Sequence, residues 1–148
     1  MQDRIEKEIE LKAPVSRVWR ALTDHEEFGE WFRAKLDQPF EVGEVSKGKI
    51  TYPGYEHYEW QATVVAMEPE RLFAFTWHPG AVQPSEAAGE PATRVEFHLQ
   101  STADGGTHLR VVESGFSALP EDRRETAFRQ NEGGWEAQMG NIRTHVDG

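Results

Sequence analysis

The chain has 148 residues, a net charge of −10 and no cysteine. Its length suits one domain spanning 1–148, able to bury about two-thirds of the surface its unfolded chain exposes. The charge argues against nucleic acid and anionic lipid as partners, and the missing thiols exclude disulfides, thiolate metal sites and a cysteine nucleophile.

No apolar signal region and no 18-residue apolar run is present, so the expectation is a cytoplasmic protein without membrane association. Five Trp, eight Phe and three Tyr are a heavy aromatic load for so hydrophilic a chain. Such side chains fill cores or shape cavities.

Residues 4–11 alternate, with Ile5, Ile9 and Leu11 sharing a face with Lys7, and Arg4, Glu6, Glu8 and Glu10 on the other. This is a half-buried strand with an acidic outer face. Ala13-Pro14 ends it, and Val15, Val18, Trp19 and Leu22 then come at helical spacing. Thr23-Asp24 offers a cap for a second short helix, Glu26–Phe32, which carries Phe28, Trp31 and Phe32.

Strand-like runs come next. Leu36–Val42 is broken by Pro39 and reads as an edge or a bulge. Ser46–Tyr52 ends at the Pro53-Gly54 turn, and Tyr58–Met67 places Tyr58, Trp60, Ala62 and Val64 on one face. Phe73, Phe75 and Trp77 alternate after the turn at Pro69-Glu70-Arg71. Thr93–Gln100 sets Val95, Phe97 and Leu99 against Arg94, Glu96 and His98. Asp104-Gly105-Gly106 is the strongest hairpin signal, and Thr107–Ser114 returns with Leu109, Val111 and Glu113 on one face. The segment Pro79–Ala92, rich in proline, glycine and small residues, is either a lid or a floppy insertion.

Pro120–Val146 reads as one long helix. Phe128, Trp135, Met139, Ile142 and Val146 fall within roughly 60° of one another at helical periodicity. Asn131 and Glu132 lie on or beside that stripe. Either the N-terminal half overhangs into water, which burial statistics favour, or polar groups face an internal space. Gly133-Gly134 marks a bend or a close sheet contact.

The order is strand, two short helices, six to seven antiparallel strands and one long helix. This is the α+β class, with one sheet face curled round the helix and the other wet.

Several stretches then carry a family resemblance. They are Ala13-Pro14-Val15 through Val18-Trp19-Arg20-Ala21-Leu22-Thr23-Asp24, Trp31-Phe32, Pro69-Glu70-Arg71-Leu72, Phe75-Thr76-Trp77, Gly105-Gly106-Thr107 with Leu109, Ser114-Gly115-Phe116 and Gly134-Trp135. In this order the chain resembles the single-domain bacterial proteins named for the activator of Hsp90 ATPase, within the START-like superfamily of helix-grip folds. The resemblance implies a curved antiparallel sheet gripping the C-terminal helix, with a cavity between them. Members of the superfamily bind lipids, hormones or polyketides, and some catalyse cyclisation. The eukaryotic activator carries a separate N-terminal chaperone-binding domain; no counterpart of it is expected here, so the resemblance is not expected to bring a co-chaperone role.

Glu113 continues the inward phase of Leu109 and Val111, or else swings to solvent where the strand ends at Ser114-Gly115. A carboxylate pointing inward must be paired, protonated or wet. Many family members resemble one another in carrying a histidine there instead. His78 stands where a strand opens into the Pro-rich segment, and His57 precedes Tyr58. The six histidines show no His-x-x-x-His spacing, so neither a metal nor a cofactor is expected.

Ligand pockets are mostly apolar with a few placed polar groups. The candidate ligand-binding set is therefore Trp31, Phe32, Tyr58, Trp60, Phe75, Trp77, His78, Phe97, Glu113, Phe116, Trp135 and Met139. The leading expectation is a non-enzymatic binder of a small apolar molecule, as a monomer or homodimer, with Glu113, His78 and Tyr58 orienting the ligand's polar end. The alternatives are a cyclase- or hydrolase-type enzyme using Glu113 with His78, and a chaperone-linked interaction module with an exposed apolar patch.

Overall fold

The acidic alternation of residues 4–11 forms β1 (Arg4–Leu11), with Ile5 and Leu11 buried and the glutamates outside. α1 (Val15–Thr23) and α2 (His25–Phe32) come next. Asp24 separates them: its Oδ1 accepts from the amides of Glu26 at 2.9 Å and Glu27 at 3.2 Å, which starts α2. A computed structural model describes residues 3–79 and 91–148 of the chain.

The rest of the sheet is β2 (Ala34–Leu36), β3 (Val45–Ile50), β4 (Glu59–Glu68), β5 (Leu72–Trp77), β6 (Thr93–Ser101) and β7 (Thr107–Ser114). All seven strands pair antiparallel in the order β1-β7-β6-β5-β4-β3-β2. The edge expected near residues 36–42 is β2, only three residues long, because the chain has left the ladder before it reaches Pro39. β4 starts one residue after Tyr58, so Tyr58 belongs to the preceding loop rather than to the strand face. A register shift between Val64 and Ala66 bends β4 against β5 and helps curl the sheet.

The β6–β7 hairpin turns where Gly105 adopts φ +88°, with the Thr102 amide donating to the Gly106 carbonyl at 3.0 Å. At Gly106 a Cβ would sit 2.3 Å from the Leu11 carbonyl oxygen, so only glycine lets β1 pass this close.

α3 (Glu121–Asp147) lies across the concave face. Trp135, Met139 and Ile142 are buried beneath it, Phe128 and Val146 are half-buried, and Ala127 adds a buried contact outside the expected stripe. Its C-terminal end is tied down by Asp147, whose carboxylate accepts from the Lys12 and Ala13 amides at 2.9 and 3.0 Å. Neither Gly133 nor Gly134 touches the sheet: a Cβ at either would meet nothing within 4 Å. The close contact expected there is therefore absent, and Gly134 faces open space instead.

The helix-grip architecture is complete, but the space anticipated inside it is differently placed. Phe73, Phe75 and Phe97 are fully buried, and Trp135 packs against Phe97 at 5.7 Å and Trp77 at 5.8 Å between ring centroids. The middle of the interface is filled with rings, and the open volume lies at one end. Among the described residues, no helix is long and apolar enough to cross a membrane.

Candidate functional site

The inward phase of β7 carries Glu113 into the protein, where it is fully buried. Four side chains converge on its carboxylate. On one oxygen, Oε2, Trp77 Nε1 donates at 2.7 Å and Thr93 Oγ1 at 2.5 Å. On Oε1, Trp135 Nε1 donates at 2.8 Å. Asn131 Nδ2 reaches both oxygens, at 2.9 and 3.1 Å.

Two indoles can only donate, so the Glu113 oxygens are the acceptors of this set. No arginine, lysine or histidine is among these partners. Among the described residues, the partners that hold this carboxyl group are all neutral dipoles.

Asn131 settles the oddity in the helix stripe. It is half-buried and turned onto Glu113, while Glu132 beside it is exposed. The reading in which this part of α3 only overhangs into water is therefore wrong at Asn131. A buried acceptor outweighs the average tendency of asparagine to face solvent.

On the far side of Trp77 and Asn131 the surface opens into a cleft of about 540 Å³. Its walls come from the end of α2 (Phe32), the β3–β4 loop and its flanks (Ile50, Tyr52, Tyr55 and Tyr58), β4 (Glu59 and Trp60), the end of β5 (Trp77 and His78) and α3 (Asn131, Gly134). Phe32, Trp60 and Trp77 form the floor, their ring centroids 5.2 to 6.1 Å apart. Trp60 is fixed from behind, donating from Nε1 to Ser46 Oγ at 2.9 Å.

The rim is the loop between β3 and β4, which carries all three tyrosines of the chain within seven residues. Tyr52 and Tyr55 are exposed and 5.7 Å apart, and Tyr55 stacks on Tyr58 at 6.0 Å. His57 lies against Tyr58 at 4.3 Å. His78 Nδ1 is buried and has no hydrogen-bond partner among the described residues.

Of the twelve residues anticipated from sequence, Phe32, Tyr58, Trp60, Trp77 and His78 line the cleft. Trp31, Phe75, Phe97, Trp135 and Met139 do not; they are buried core, and Trp31 donates its indole N–H to the Ala21 carbonyl at 2.8 Å. Phe116 packs against Phe128 at 5.2 Å, away from the cleft lining. Glu113 is enclosed behind the cleft wall rather than on it, because its donors fill the space a ligand atom would need.

Sequence reasoning missed Thr93, Tyr52, Tyr55 and Gly134. Thr93 carried no signal, whereas the tyrosine cluster did. The Pro79–Ala92 segment falls mostly on residues 80–90, which lie outside the described residues. No group of three or more potential metal ligands occurs among the described residues.

A second polar cluster ties α1, α2 and α3 together away from the cleft. Glu27 receives Arg17 Nη1 at 2.6 Å and Arg20 Nε at 2.7 Å, with His145 Nε2 at 2.9 Å. Burial acts to raise the Glu27 carboxyl, but donation from His145, Arg17 and Arg20 outweighs it and holds the group below the usual glutamate range.

Solved structures share this architecture. The chain is similar to MLL2253 from Mesorhizobium loti, with 26% identity, a TM-score of 0.76, and 97% of this chain and 96% of that one covered. It is similar to DynU16, a protein in the dynemicin biosynthetic locus, with 22% identity and a TM-score of 0.76. The match covers 99% of this chain but 48% of the other, so this chain spans about half the length of DynU16. Ms6760 from Mycobacterium smegmatis shows 17% identity and a TM-score of 0.75 over 95% of this chain and 88% of that chain. No functionally curated protein matches the sequence. Residues 12–147 match the family described as activator of Hsp90 ATPase homolog 1-like protein, and the chain belongs to that family.

Proposed function

We propose that the protein binds a small, largely apolar molecule in the cleft at the open end of the helix–sheet interface. The observation that carries this is a space of about 540 Å³ lined by six aromatic side chains, with polar side chains in the minority. That composition and size are those of a small-molecule site. The relationship to DynU16, a protein in a biosynthetic locus, agrees with the handling of small organic molecules.

In this reading His78 and Tyr58 meet the ligand's polar part directly. Glu113 acts one step removed, by fixing Trp77 and Asn131 in the cleft wall. An acid–base role for Glu113 with His78 needs a carboxylate that a ligand can reach, and four donors enclose this one. A protein-docking module needs a broad exposed apolar patch. Among the described residues the large exposed hydrophobics are Val42, Val45, Tyr52 and Tyr55, and the last two belong to the cleft rim.

The test is a thermal-shift panel of lipids and aromatic metabolites on the native protein and on Gly134→Leu, which places a side chain in the cleft without meeting protein atoms at Cβ. A ligand at a hundred times its Kd adds about 2.7 kcal/mol, or about 5–10 °C in a chain of this size. At least one compound should shift the native protein and leave Gly134→Leu unmoved. No shift with any compound, or equal shifts in both proteins, contradicts the reading.

A further inference from the structure

We infer that the cleft selects an apolar organic cation, an amine or quaternary ammonium on a hydrocarbon or aromatic body. This rests on the binding reading above and adds the sign of the ligand's charge. The first observation is the wall itself: six aromatic rings, with Glu59 as its acidic member and no arginine or lysine among the described residues that line it. An anionic ligand such as a fatty acid finds no arginine or lysine among those lining residues. The negative faces of tryptophan, tyrosine and phenylalanine rings instead attract positive charge, most strongly where water is displaced.

The second observation is independent of the rings. Glu113 lies immediately behind Trp77 and Asn131, both cleft-lining residues, and its four partners are neutral. A carboxyl group whose partners among the described residues are all neutral donors presents its acceptor oxygens, and with them a negative potential, toward that wall. The indole of Trp77 transmits this bias while blocking contact: its N–H end faces Glu113 while the residue lines the cleft. At the rim the Arg33 guanidinium already lies 5.9 Å from the Tyr52 ring centroid, so the rings left for a cation are those of the floor with Tyr55 and Tyr58. The whole chain, at −10, adds long-range attraction of the same sign.

The experiment compares three probes with one naphthalene body: the cation (1-naphthylmethyl)trimethylammonium, the neutral 1-naphthalenemethanol and the anionic 1-naphthoate. Calorimetric titration of the native protein at low and high salt reads the affinities, and no probe changes protonation near neutral pH. The cation should bind about tenfold more tightly than the alcohol, and the carboxylate most weakly. Tyr55→Leu, which keeps the rim apolar but removes a π face at an exposed position, should weaken the cation several-fold more than it weakens the alcohol, so that the cation's lead shrinks. Equal affinities, or tighter binding of the alcohol or the carboxylate, overturn the inference while the apolar-cleft reading stands. Binding by none of the three overturns both.

Discussion

Two neighbouring regions share Trp77 and Asn131 yet are built on opposite principles. Around Glu113 the chain commits four side-chain donors to one buried carboxylate, and nothing is left open. Beside it, the cleft is lined by aromatic rings, with Tyr52 and Tyr55 about half exposed at its rim. The contrast separates structural from ligand-facing polarity. A saturated polar knot fixes the neighbouring walls, and the aromatic surface beside it is where the proposed ligand would sit.

The sharpest way to break this division is to cut the knot. Replacing Glu113 by leucine orphans the indole N–H groups of Trp77 and Trp135 and the amide of Asn131 together. The expected loss is about 3–5 kcal/mol in a denaturant titration, because several buried donors lose their acceptor at once. A loss below about 1 kcal/mol would mean that the carboxylate is not the organising group of this end of the fold.

The Glu27 cluster offers a milder comparison. Glu27→Gln should cost about 1–2 kcal/mol at neutral pH, since the site is partly screened. The folded-state pKa of Glu27 is depressed, so its contribution is present above the unfolded value of about 4.3 and fades as pH falls through the folded value. Stability curves of native protein and variant should therefore converge in acid below about pH 4. Parallel curves down to strong acid would rule out this linkage.

The smallest effects lie on α3. Gly133→Ala has free space at Cβ and should stabilise the helix by about 0.5–1 kcal/mol without changing ligand affinity. Gly134→Leu should gain a similar amount in thermal unfolding while losing ligand binding about tenfold or more, so stability and binding move in opposite directions. If both glycine variants bind ligand like the native protein, the cleft beside α3 is not where ligand sits.

Much of the fold was legible from period alone. The alternation of Leu109, Val111 and Glu113 left an inward carboxylate as one of two readings, and Asp104-Gly105-Gly106 announced the hairpin that sets its register. Periodicity could not show partnership across the interface. Asn131 stood out only as a polar residue in an apolar stripe, because its partner lies 18 positions away on β7. Trp77 and Trp135 read as bulk hydrophobes, since their donor ends gain meaning only with Glu113 between them. The tyrosine rim was invisible to strand and helix patterns, as loop residues obey neither; the crowding of Tyr52, Tyr55 and Tyr58 into one loop was its only trace. The cavity itself was misplaced toward the core, because aromatic content alone does not distinguish filled space from open space.

One measurement tests the central claim most directly: indole ¹H–¹⁵N spectra of the five tryptophans during titration with the three naphthalene probes. The account predicts that the Trp60 and Trp77 signals move with the tightest-binding probe while Trp19, on α1 and away from the cleft lining, stays still. Movement of Trp19 with Trp60 and Trp77 unchanged would contradict it.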